Sequence, residues 1–106
     1  MRRGTTPTIT LNLPFNVSTV RNAEVYFAQN DGLVFEKDME DCVLSGTTLA
    51  VTLTQSETLL LNDDEKLKVQ ARFVFTDGSV DATEIIKGKV KEILKDGEID
   101  VDTNND

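Results

Sequence analysis

The sequence predicts an all-β protein: an antiparallel β-sandwich of about seven strands, immunoglobulin-like in architecture, with one or two short helical turns. Three observations predict it. Residues 66–76 alternate strictly, with Leu67, Val69, Ala71, Phe73 and Phe75 on one face and Lys66, Lys68, Gln70, Arg72 and Thr76 on the other. Val74 alone breaks the polar face. Successive side chains of a strand point to opposite faces, so period two over this length marks a half-buried strand. Second, Asn30-Asp31-Gly32 and Asp77-Gly78 separate extended runs; such turns join antiparallel neighbours. Third, short apolar runs recur with turn signals between them, the spacing of a sandwich.

The elements follow in chain order. Residues 8–13 read Thr-Ile-Thr-Leu-Asn-Leu, again period two. Pro14 should end that strand, since it cannot donate to a ladder. Residues 18–22 allow a single helical turn. Residues 23–29 form the next strand, with Val25 and Phe27 on one side and Tyr26 and Ala28 on the other. Residues 33–37 return after the Asn-Asp-Gly turn. A short strand over 42–44 turns at Ser45-Gly46 into a strand where Leu49, Val51 and Leu53 alternate with Thr48, Ala50 and Thr52. Thr54 and Glu57 have capping-box spacing, which predicts a helix of a turn or two. Residues 62–65 are a polar loop before the strand of 66–76. After Asp77-Gly78 the chain returns from Ser79 or Val80. For residues 85–94 two readings stand. Ile86, Val90, Ile93 and Leu94 share a helical face, while Ile86, Gly88 and Val90 alternate with Lys87, Lys89 and Lys91. Gly88 weakens a helix by about 1 kcal/mol, which favours a strand to about Lys91. The domain so defined spans residues 1–95, with residues 1–7 extended. Residues 96–106 form an acidic tail, expected to be mobile.

Composition narrows the chemistry. The chain has 106 residues, enough for one domain with its own core. Cys42 is the sole cysteine and there is no histidine. A Ser-His or Cys-His pair therefore cannot form, and an intramolecular disulfide cannot either. Cys42 reads as a buried core thiol. The acid clusters (Asp38, Glu40 and Asp41; Asp63, Asp64 and Glu65; Asp81 and Glu84) read as solvated loops, not as a glycosidase pair. Asp100, Asp102, Asn104 and Asp106 repeat like the early ligands of a calcium loop. Asn105 stands where that loop needs Gly, and no closing Glu follows. No catalytic residue, metal site or cofactor is expected, and the chain reads as a non-enzyme.

The net charge is −8, and −5 of it falls on residues 96–106. That balance argues against nucleic acid and anionic membrane as partners. No apolar run approaches the roughly 20 residues of a membrane helix, and no export signal follows Met1. The candidate partner contacts are Phe15, Tyr26, Val74, Lys87, Lys89 and Lys91. Phe15 follows a strand end and suits a core plug or an exposed anchor. Tyr26 and Val74 suit one exposed patch, or a second buried sheet face. The three lysines suit a solvated strand face, a protected edge or a polyanion contact.

Several strings carry a resemblance. They are Arg3-Gly4-Thr5-Thr6-Pro7, Leu13-Pro14-Phe15, Tyr26-Phe27-Ala28-Gln29-Asn30, Leu53-Thr54-Gln55-Ser56-Glu57-Thr58 and Val69-Gln70-Ala71-Arg72. Over residues 3–99 the chain resembles small structural proteins, associated with tail, baseplate or head, of tailed phages and prophages of Gram-positive bacteria. The resemblance implies a virion component made in the bacterial host cytoplasm. It also implies contacts to other virion proteins and to copies of itself, with the extended ends reaching a neighbouring subunit. The alternative is a small-ligand or glycan-binding sandwich module, for which one Tyr and no Trp is a poor aromatic supply.

Overall fold

A computed structural model of the chain describes residues 1–101. Eight strands form two antiparallel sheets. The strands are β1 (Thr8–Asn12), β2 (Val20–Gln29), β3 (Gly32–Asp38), β4 (Cys42–Ser45), β5 (Thr48–Thr52), β6 (Leu67–Phe75), β7 (Val80–Ala82) and β8 (Ile86–Gly88). The small sheet has the order β1-β5-β4, and the large one β3-β2-β6-β7 with β8 also on β6. Strands 1, 4 and 5 thus face strands 3, 6 and 7 in the immunoglobulin-like division. β2 departs from that division, which would put it beside β5: it sits in the large sheet, between β3 and β6.

The predicted alternation builds the core. Leu67, Val69, Ala71 and Phe73 of β6 are buried, as are Ala23, Val25 and Phe27 of β2. β2 and β6 pair with Val25 opposite Ala71 and Phe27 opposite Val69. Cross-strand partners share a face, so one inward surface forms. Leu11, Leu49 and Val51 of the small sheet pack onto it. Phe27 stacks on Phe35 with ring centroids 4.6 Å apart.

The turns follow their sequence chemistry. Gln29 pairs with Gly32, so Asn30 and Asp31 form a two-residue loop with φ of 48° and 63°. Asn and Asp tolerate this left-handed region better than other side chains. At the other hairpin Gly78 takes φ 88°, and Phe75 N–H donates to Ser79 C=O. Helix α1 (Gln55–Leu59) starts at the predicted capping box: the Thr54 hydroxyl accepts from Glu57 N–H, and Glu57 accepts from Thr54 N–H.

Three expectations are corrected. β2 begins at Val20, after a 3-10 turn over Val17–Thr19, so the helical turn is shorter and the strand longer than predicted. Residues 89–94 form no helix, and the single return strand is two strands, β7 and β8, along the same edge of β6. From Ala82 to Ile86 the edge takes four steps while β6, from Arg72 to Val69, takes three. One extra residue is a bulge, which interrupts the ladder and twists the edge. It makes eight strands of the expected seven. The N-terminal residues, expected to extend outward, are held on their own chain. Arg2 bridges Lys91 in parallel, Lys91 N–H donates to Met1 C=O, and Arg3 N–H donates to Lys91 C=O.

The C-terminal segment is held too, as far as it is described. Arg3 pairs with Asp96 at 3.0 Å. The Gln55 side chain donates to Ile99 C=O and accepts from Ile99 N–H. The rest of the acidic tail, with Asp102, Asn104 and Asp106 of the calcium-like repeat, lies outside the described residues. No helix among the described residues is long and apolar enough to cross a membrane.

Candidate functional site

Phe15 is a half-buried plug. Its ring meets Phe73 edge-on at 5.0 Å and Phe75 at 4.9 Å. Offset and edge-on aromatic contacts of this kind add to area burial. The same ring lines a groove, described below, so it serves the core and reaches the surface.

Tyr26 and Val74 are both half-buried and line one depression. Both point out of the large sheet, opposite in sense to the buried Val25 and Phe73 beside them. They border a depression of about 120 Å³ with Asn22, Glu24, Arg72 and Val80. The register explains the grouping: Glu24 lies opposite Arg72, Asn22 opposite Val74, and Val74 opposite Val80. The Tyr26 hydroxyl donates to Glu24 at 2.7 Å. Burial first, then the Glu24 bond and charge, pushes its pKa above the ordinary tyrosine value. The phenol thus stays neutral and held by Glu24, on a half-buried side chain.

The lysines gather near the start of β6. Lys87 lies directly opposite Lys68, and Lys87 and Lys89 border a shallow depression with Lys66. Lys87, Lys89 and Lys91 are all exposed, but Lys87 alone lies within a strand. Lys91 is committed through its backbone to Met1 and Arg3. Like charges directly opposite one another are unfavourable, so this corner favours anionic groups. Lys66 and Lys68 were legible as lysines on the polar face of β6; their union with Lys87 required the register.

Cys42 is half-buried at the inner face of β4, opposite Val51, and its thiol donates to Asp38 C=O at 3.4 Å. Burial, then the charges of Asp41 and Asp38, raises its pKa. That keeps the thiol protonated and a poor nucleophile. Among the described residues, no group of three or more Cys, Asp or Glu side chains is placed to hold a metal ion.

Another concavity is one that no sequence pattern marked. A groove of about 290 Å³ runs between β1 and the β7–β8 edge, lined by Leu11, Asn12, Phe15, Asp81, Glu84 and Ile86 among others. Its walls come from segments some seventy residues apart, so only the fold assembles it.

No family model matches the chain, and no curated protein or solved structure is similar enough to count as a match.

Proposed function

We propose that this chain is a non-enzymatic structural or adaptor component of a phage particle, working through contacts to other virion proteins. The observation that carries the contact half is the outer face of the large sheet. There Tyr26, Val74 and Val80 form an apolar strip, with Val80 56% exposed, flanked by Glu24 and Arg72. An aromatic anchor within a polar rim is the make-up of a protein interface. The depression, about 120 Å³, is far smaller than the roughly 300–1,000 Å³ of pockets that enclose small ligands. That favours a protein surface over a glycan as its cover. The virion half comes from the resemblance of the quoted strings to small phage structural proteins.

The test is incorporation. Val74→Glu places a charge in the strip without touching the core, so the variant should unfold at the same urea concentration as the wild type. Its copy number in purified particles should fall at least tenfold. Wild-type incorporation by a folded Val74→Glu protein would remove this face from the proposal.

A further inference from the structure

We propose that the groove beside β1 is a vacant strand position, filled by one extended, apolar and basic segment of a partner protein. This rests on the protein-contact half of the function proposed above and not on the particle.

The two sheets differ in width. The large one has four strand positions: β3, β2, β6 and the edge shared by β7 and β8. The small one has three, β4, β5 and β1. The three-residue turn Met39–Asp41 joins β3 to β4, which puts those edges together on one side. On the other side the large sheet therefore overhangs β1 by one strand. The groove lies in that overhang, with Leu11 and Phe15 on one wall and Asp81 and Ile86 on the other.

Ile86 shows what is missing. It lies opposite Val69, which faces the core and is 5% exposed. Cross-strand partners share a face, so Ile86 points inward as well. Yet it is 46% exposed, because no fourth strand of the small sheet covers it.

The β1 backbone is set to pair. Leu53 N–H donates to Pro7 C=O, and Leu13 N–H donates to Thr47 C=O. In an antiparallel ladder, bonded and non-bonded pairs alternate. The bonded residues of β1 are then Ile9 and Leu11, and the N–H and C=O groups of Thr8, Thr10 and Asn12 turn away from β5. They point along the overhang. Among the described residues, no strand lies beside β1 on that side.

Charge and shape select the occupant. A second sandwich joining edge to edge at β1 would drive its own wider sheet into the β7–β8 overhang, so the position suits a lone strand. Residues 1–3 of a second copy are held by their own residues 89–92. The segment 96–106 is acidic and would meet Asp81 and Glu84 across the groove. What fits is an extended segment with apolar side chains at alternate positions and a Lys or Arg toward those two acids. Strand addition draws affinity from the main chain and specificity from alternate side chains.

The test tethers a probe to the full chain. The strand Lys-Thr-Val-Thr-Val-Thr-Lys, whose valines and lysines share one face, is fused after Asp106 through a Gly/Ser linker of about twenty residues. At about 3.3 Å per residue the linker can extend past the molecule's longest dimension, which is 50 Å. Tethering of this kind gives roughly millimolar effective concentration. Amide exchange of Thr10 and Asn12 should slow at least tenfold relative to the unfused chain. A fusion with Pro for the central Thr, whose N–H would bond β1, should leave both amides as they were, and one with Glu for Lys should protect them less. Unchanged exchange in the lysine fusion, or equal protection by the proline fusion, overturns strand addition. Equal protection by the glutamate fusion overturns the basic partner. Particle content of the unfused protein is measured separately, so failure here is distinct from failure of the virion assignment.

Discussion

Lys37 stands where the strand pattern asks for an apolar side chain. It lies opposite Val25 on the inward face and is 7% exposed. Its ammonium donates to both Glu57 oxygens, at 2.8 and 2.9 Å. Glu57 is also the third residue of the α1 capping box, so one carboxylate serves the helix start and the buried cation together. Burial pushes the Glu57 carboxyl up, but the bonds from Lys37 and Thr54 outweigh it and hold its pKa below the ordinary value. A depressed carboxylate contributes stability that is fully present above its unfolded pKa, near 4.3. The contribution is lost as pH falls through the lower folded value. Lys37→Met leaves the carboxylate without its cation, and should cost about 1–3 kcal/mol at pH 7. Urea titrations at pH 7 and pH 3 should show that difference shrinking in acid. An equal loss at both pH values would mean that packing, not the charge pair, sets it. The pair was invisible in the sequence, where Lys37 reads as one more surface lysine.

At the scale of elements, β6 was the most legible part because its alternation is unbroken and buried on one side. The Asp77-Gly78 and Asn30-Asp31-Gly32 turns were legible for the same local reason. In the second, both central positions take positive φ, and Gly32 opens β3 instead of occupying the loop. A Gly would therefore sit better one residue earlier. Asp31→Gly removes a left-handed cost of about 1–2 kcal/mol and adds unfolded-state entropy of about 0.5–1 kcal/mol. The lost contact to Lys68, at 3.9 Å and exposed, is worth little. A small rise in the urea midpoint is expected; a fall would mean that the Asp31 side chain contributes more than its backbone costs. The edge after Val80 was the least legible. Helical and strand patterns overlap there, and the bulge between Ala82 and Ile86 arises from pairing with β6, not from a local signal.

For the whole molecule, the ends matter as much as the sheets. Arg3 donates to Leu59 C=O and Leu61 C=O at 2.8 Å each and pairs with Asp96, so one side chain ties the N-terminal segment, α1 and the C-terminal segment. Gly4 beside it takes φ 71°, and a Cβ there would approach Ile93 within 3.0 Å. These ties were not legible, because each joins residues more than fifty positions apart. The candidate contacts divide by scale in the same way. Tyr26 and Val74 were legible as odd apolar groups and the register brought them together, whereas the groove beside β1 exists only because two sheets of unequal width are stacked. In the proposed function the sandwich holds neighbours in a phage particle. Mass spectrometry of purified particles tests it most directly. Peptides of this chain are expected in stoichiometric amounts alongside the other structural proteins. Their absence from particles, with the protein abundant in the host cell lysate, would contradict it.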